Sequence, residues 1–123
     1  MCRSVRAVVT LATALNILLP AVGHTEPIWV FGVGTKSCGA FLVAKAGPPS
    51  AEYVAFQAWL GGFMTGINRV LAAEEHAMIR DTALEAIEAL VEQRCRVRPE
   101  ITLFTAAEAV AASLLESRTP LRP

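Results

Sequence analysis

The residues that could carry chemistry are few and widely spaced. The two histidines, His24 and His76, have no His, Cys or Asp three or four positions further along, the spacing that would place two metal ligands on one helix face. Glu74 and Glu75 beside His76 could contact a metal ion, but a solvated charged loop is the simpler interpretation. Catalytic motifs with nucleophile, zinc-protease or phosphate-loop spacing are also missing from the sequence. We therefore predict no catalytic residue, no metal site, no cofactor and no enzymatic activity.

The N-terminus has the layout of a secretory signal peptide. Arg3 and Arg6 precede an apolar run of about 13 residues, Ala7 to Leu19, and cleavage after Gly23 would place the small residues Ala21 and Gly23 at the −3 and −1 positions. As a helix this run rises only about 20 Å, against about 30 Å for the hydrocarbon core of a bilayer. The sequence thus predicts a signal peptide at residues 1–23, removed on export to the periplasm or the medium, and a single domain at 24–123.

Export changes how the remaining charges and cysteines are interpreted. Of 11 basic residues, Arg3 and Arg6 leave with the signal, so 9 face 11 acidic ones and the net charge is about −2. That balance disfavours nucleic acid as a partner. Cys38 and Cys95 remain in an oxidising compartment, where a disulfide is the default and two buried free thiols are the alternative. Their separation excludes a C-x-x-C redox pair, and a bond would close a loop of about 58 residues.

The longest apolar stretch, Tyr53 to Val70, predicts a central helix capped by Ser50. Its expected core face includes Tyr53, Phe56, Trp59, Leu60, Phe63 and Ile67. A second stripe of small residues, Ala55, Ala58, Gly62 and Gly66, predicts close contact with another segment, so Gly62 and Gly66 are also assigned to the core. A kink at Gly61–Gly62 is the alternative. Only about 16 consecutive residues are uncharged, too few for a stable membrane span after signal cleavage. Tyr53 and Trp59 would otherwise line a groove for a partner helix or peptide.

Three further helices complete a compact all-α bundle of about four helices with one disulfide. They are Lys36–Ala46 capped by Thr35, Thr82–Cys95 capped by Asp81, and about Thr102–Glu116. Cys38, Phe41 and Lys45 are expected to share one face of the first of these, and Leu90 is expected on the buried face of the second. Residues 24–34 form an expected extended arm whose Trp29 and Phe31 pack onto the helices. Residues 71–80 extend the central helix or form a loop, and residues 118–123 are an expected disordered tail.

Three glutamates, Glu85, Glu88 and Glu92, are spaced to share one face of the third helix. A solvated helix face is one interpretation, with Glu92 paired to Arg96 one turn later. The other is an acidic surface that meets a basic partner, or that loses its charge as the pH falls.

The order of these features resembles two kinds of small exported helical protein. The residues that carry the resemblance are the W-L-x-G-F/Y-x-x-G-x-N stretch from Trp59 to Asn68, Cys95 followed by Pro99, and the Ala-rich helix Leu103 to Leu115. They resemble proteins of the HdeA type and of the Rap/Tai immunity-protein type. The first implies a periplasmic acid-stress chaperone with a disulfide-stabilised helical core. The second implies a protein that binds and blocks a secreted cell-wall-degrading effector.

The sequence therefore predicts a non-enzymatic exported domain that binds another protein, of the immunity or inhibitor kind. The alternative is an HdeA-like acid-stress holdase. The partner is not identified by any motif, and pairing with a second copy of the same chain remains open.

Overall fold

The computed structural model describes residues 27–76, 78–80 and 82–117. After a short 3-10 helix at Gly32–Thr35 come four α-helices: α1 (Cys38–Ala46), α2 (Ala51–Ala73), α3 (Leu84–Val97) and α4 (Leu103–Glu116). The prediction of an all-α bundle of four helices is confirmed. The predicted signal peptide, the tail 118–123 and Asp81 lie outside the described residues.

Local capping explains where the helices begin. Ser50 caps α2 as predicted, because its Oγ accepts a hydrogen bond from Tyr53 N (3.1 Å). Thr102 caps α4 in the same way. Thr35 does not cap α1, because its hydroxyl donates to Gly32 O within the 3-10 helix, and Ser37 takes that role instead. Helix α3 starts two residues later than predicted, after Ala83.

One junction joins the start of α1, the end of α3 and the start of α4. The predicted disulfide between Cys38 and Cys95 is confirmed, and both residues are fully buried. Beside it the backbone pairs across chain segments: Cys38 N donates to Ile101 O (2.7 Å), and Leu103 N donates to Lys36 O (2.8 Å). These bonds satisfy backbone N–H groups in the first turns of α1 and α4, which water would otherwise have to solvate.

The core is apolar and receives residues from all four helices. Phe56 and Leu60 are fully buried on α2, and Phe41 of α1 meets Phe56 edge to face with ring centroids 5.5 Å apart. Four other predicted core residues of α2 are half-buried and pack against this centre: Tyr53, Trp59, Phe63 and Ile67. Most of the predicted core face of α2 is thus confirmed.

The prediction that Gly62 and Gly66 belong to the core is wrong. Both are exposed, and a Cβ atom added at either would have no described heavy atom within 4 Å. Nor do they end the helix, since α2 runs without a break from Ala51 to Ala73. The close approach that such glycines permit occurs instead at Gly34, where a Cβ would collide with the Trp59 ring. None of the described helices has the combination of length and apolarity that spanning a bilayer requires.

The N-terminal arm also differs from the prediction. Trp29 is 81% exposed and Phe31 77% exposed, so neither packs onto the helices. The backbone of the arm makes the contact instead, since Trp59 Nε1 donates to Phe31 O (2.9 Å) and Val33 and Gly34 lie against the core.

The ambiguous stretch 71–80 divides into both predicted forms. Helix α2 continues to Ala73, and Glu74 and Glu75 then form a turn in which Glu75 has a positive φ of 57°. Beyond the turn Asn68 holds the returning chain, because its side chain exchanges two hydrogen bonds with the backbone of Ile79 (2.9 and 2.8 Å). Ile79 is buried as a result.

We expect the disulfide to supply a large part of the stability. A bond between cysteines 57 positions apart restricts the unfolded chain, and the loop-entropy relation gives about 4 kcal/mol as an upper figure. The Cys38→Ser/Cys95→Ser double variant should therefore unfold at lower urea concentration, with a loss of about 2–4 kcal/mol. The reduced wild-type protein is the control and should match it. Two reactive thiols in the native, unreduced protein would contradict the pairing.

Candidate binding groove

A groove lies between α2 and α4. Among the four described helices every pair packs closely except these two. They meet through Phe63 and Phe104, whose rings contact edge to face with centroids 5.6 Å apart. Beyond this contact the two helices leave an open space of about 600 Å³.

The walls of this groove are almost entirely apolar. The residues that line it are Ile28, Phe63, Gly66, Ile67, Val70, Leu71, Phe104 and Glu108. Glu108 is the only ionisable group in this set, and it makes no ion pair within the described ranges. An exposed apolar concavity with one charge at its edge is typical of a surface that binds an apolar ligand or a protein segment.

The aromatic end of the groove is held in place by several contacts. Trp59 stacks on Phe63 with ring centroids 5.2 Å apart and an angle of 9° between the planes. The indole is fixed in turn by its hydrogen bond to Phe31 O and by the close approach of Gly34. Phe63 and Phe104 therefore form a preorganised end wall supported by Trp59, which lowers the entropy lost when a ligand binds.

The rest of the groove is open. Of its lining residues, Ile28 is 70% exposed and Val70 is 57% exposed, and Gly66 has no side chain to cover the backbone. Trp29 and Phe31 continue the apolar surface along the arm. Of the two predicted roles for Trp59, the structure supports packing against the core, because the groove is lined by its stacking partner Phe63 and not by Trp59 itself.

The predicted acidic surface on α3 does not exist as a continuous patch. Glu85 is exposed, Glu92 is half-buried, and Glu88 is only 4% exposed, so the expectation that Glu88 faces solvent is wrong. Helix α3 is rotated relative to the prediction: Glu88 faces α1 and α2, while Leu90, predicted as core, is 39% exposed.

Buried Glu88 is stabilised by three donors from two other helices. Lys45 Nζ of α1 lies 2.7 Å from Glu88 Oε1, Gln57 Nε2 donates to Oε2 (3.1 Å), and the Tyr53 hydroxyl donates to Oε1. Lys45 also lies 2.7 Å from Glu92, which pairs with Arg96 as predicted (2.6 Å). We call these six residues the Glu88 network. A buried carboxylate persists only when it is paired in this way.

The network moves the pKa values of its members. Burial alone would raise the pKa of Glu88, but the hydrogen bonds from Lys45, Tyr53 and Gln57 outweigh it and hold that pKa below its usual range. Hydrogen bonds from Lys45 and Arg96 also lower the pKa of Glu92. Burial would lower the pKa of Lys45, yet its two carboxylate partners raise it. The hydrogen bond to Glu88, with burial, raises the pKa of Tyr53.

The sequence held signals for this network that the prediction did not use. Lys45 shares the inward face of α1 with Cys38 and Phe41, and Tyr53 lies on the apolar face of α2. A cation and a phenol on two faces predicted to be buried need a polar partner, and Glu88 is the residue that supplies it. The groove residues Phe104 and Glu108 had no such signal, because the gap between α2 and α4 depends on tertiary packing.

In the described ranges no cluster of three His, Cys, Asp or Glu side chains is placed to hold a metal ion. The chain matches no family model, no curated protein and no solved structure. The resemblance to HdeA-type and immunity-type proteins therefore stays a prediction.

The Glu88 network predicts how stability depends on pH. Because the folded-state pKa values of Glu88 and Glu92 are lowered, their contribution is present above about pH 4.3 and is lost as the pH falls through the lowered values. Lys45 and Tyr53 have raised pKa values, so their contribution is present below about pH 10 and is lost as the pH rises above it.

We expect Glu88→Gln to lower the unfolding free energy at pH 7 by about 2 kcal/mol and to flatten its decline between about pH 5 and 2. The matched control is Glu85→Gln, one turn earlier on the exposed side of α3, which should change neither quantity measurably. Urea unfolding at a series of pH values measures both. An unchanged acid slope in Glu88→Gln would contradict the assignment.

Proposed function

We propose that this chain is an exported protein-binding domain whose binding site is the groove between α2 and α4. The carrying observation is that the groove is apolar and open to solvent in a domain whose other helix pairs pack closely. Exposed Ile28, Trp29, Phe31 and Val70 enlarge the apolar surface around it. Monomeric proteins seldom expose large apolar patches without a binding role.

Export is supported by two independent features. The first is the N-terminal order of basic residues, a short apolar run and then the small residues Ala21 and Gly23. The second is the buried Cys38–Cys95 disulfide, since disulfides persist mainly in oxidising compartments. The domain therefore acts in the periplasm or outside the cell.

Within the class of exported binders, an immunity-like or inhibitor-like role fits the groove best. An inhibitor needs a rigid surface that loses little entropy on binding. That rigidity comes from the disulfide, from the antiparallel backbone pairing of Ser37 with Thr102, and from the stacking of Trp59 on Phe63. The absence of a recognised catalytic motif in the sequence agrees with a role exercised by binding alone. A secreted toxin encoded beside this chain would favour this role, and neighbouring stress genes would favour a chaperone.

The test of this proposal is site-specific photocrosslinking in the producing cells. A photoreactive phenylalanine analogue at Val70, in the groove, should give a discrete adduct with another protein of the envelope. The same analogue at Val43, which is 75% exposed on α1 and away from the groove, is the matched control and should give none. Equal labelling patterns at both positions, or no adduct at Val70, would reject the groove as the binding site.

A second candidate is an acid-activated holdase, and the Glu88 network is the observation that favours it. Protonation of Glu88 and Glu92 removes the partners of Lys45 and leaves the contact between α1, α2 and α3 weaker. Partial opening there would expose core residues such as Phe41 and Phe56 to client proteins.

For this candidate we expect the protein to suppress aggregation of an acid-unfolded client at about pH 2–3 and not at pH 7. Glu88→Gln should act at a higher pH than the wild type, because it has already lost the charge that holds Lys45. Light scattering measures both, and Glu85→Gln is the control. Lack of suppression at low pH would remove the holdase.

A further inference from the structure

The geometry of the groove points to one kind of occupant: we propose that it receives an amphipathic helix that carries a basic residue next to its apolar face. This inference rests on the proposed binding function and names the chemistry of the partner. Three features of the groove lead to it: its position in the bundle, the bare backbone at Gly66, and the unpaired charge of Glu108.

The position of the groove is that of a missing helix. Within the described bundle α2 and α4 are the one pair of helices without close packing, and residues of both helices line the space between them. A helix about 10 Å wide occupies roughly 120 Å³ per residue. A volume of about 600 Å³ therefore holds about five residues, which is the buried face of two to three helical turns.

The bare backbone at Gly66 allows close approach of such a helix. A Cβ at Gly66 would meet no described heavy atom within 4 Å, so the glycine is not required by the domain's own packing. Within a helix it also lowers helix propensity relative to alanine. A partner helix whose apolar side chains extend over Gly66 toward Phe63 and Ile67 would make use of the space. Helix-in-groove binding through apolar residues at positions i, i+3 or i+4, and i+7 is a recurring mode of recognition.

The charge at the edge of the groove predicts a charged residue on the partner helix. Among the described residues Glu108 is the only ionisable one that lines the groove, and no described cation pairs with it. It lies one turn after Phe104 on α4, so it flanks the aromatic wall. A Lys or Arg beside the apolar stripe of the partner would pair with Glu108 as the apolar side chains are buried.

The probe is a designed 14-residue peptide of leucine and lysine whose leucines share one helix face. Titration calorimetry with the protein purified from its producing cells should show binding. A peptide of the same composition with the leucines scattered around the helix should bind at least about tenfold more weakly. Equal binding of the two peptides would overturn the proposal.

Two glycine variants separate groove filling from general effects. Gly66→Leu should weaken binding of the leucine-lysine peptide about tenfold, because the new side chain occupies the groove. Gly62→Leu is the matched control: it lies one turn earlier on α2, is equally open, gains the same helix propensity and does not line the groove. The affinity of Gly62→Leu for the leucine-lysine peptide should stay within about twofold of that of the wild type. The same loss in both variants would overturn the groove as the site.

Reversing the charge at position 108 tests whether the partner helix carries a basic residue there. Glu108→Lys should lose about two- to fivefold in affinity for the leucine-lysine peptide and gain as much for its leucine-glutamate counterpart. Glu85→Lys makes the same change in net charge on exposed α3 and should do neither. An identical response of the two variants would reject the pairing with Glu108.

Other occupants give different results. If the groove is closed by a second copy, sedimentation shows a dimer that Gly66→Leu dissociates and the peptide does not bind. If it binds lipid, zwitterionic vesicles compete with the peptide for the groove. Either result overturns the helix proposal. A further outcome is a crosslinked adduct at Val70 in cells together with peptide binding that Gly66→Leu does not change. That result would support protein binding at the groove and reject an amphipathic helix as the occupant.

Discussion

The structure depends most on the junction where the Cys38–Cys95 disulfide lies beside the antiparallel backbone pairing of Ser37 with Thr102. The first helix is only nine residues long, too short to be stable alone. The junction fixes its first turn to the end of α3, and Gly39 N adds a hydrogen bond to Pro99 O (2.9 Å). Once α1 is held there, its Phe41 and Lys45 reach the core and the Glu88 network.

Anchoring at one junction also explains why a groove can remain open elsewhere. Helix α4 is attached through its first residues and through its packing on α3, α1 and the 3-10 helix. Helix α2 is held by α1 and α3, by the 3-10 helix and by the chain returning at Ile79. Neither α2 nor α4 therefore needs the other for its place in the fold. Their facing surfaces are left free to serve a ligand, apart from the contact of Phe63 with Phe104.

Much of this fold could be predicted from sequence, because its determinants are local. Apolar spacing identified the four helices, Ser50 identified the start of α2, and two cysteines in a chain predicted to be exported indicated the disulfide. The predictions that failed were those that required a choice between two faces of one helix with similar composition. The stripe of small residues that contains Gly62 and Gly66 is compatible with a packed helix face and with an exposed one. Only the position of α4 determines which of the two occurs. Likewise the rotation of α3 that buries Glu88 instead of Leu90 needs the positions of Lys45 and Tyr53 in three dimensions.

The Glu88 network and the groove lie at different places on α2, which separates stability from binding. Tyr53 and Gln57, in the first two turns, serve the network with α1 and α3, while the residues from Phe63 to Leu71 serve the groove with α4. Trp59 and Leu60 lie between them, and Leu60 is fully buried. Protonation of Glu88 weakens the first contact without adding charge to the second. A partner in the groove could thus stay bound through mild acidification, whereas an acid-activated chaperone would have to expose the core on the other side of the same helix.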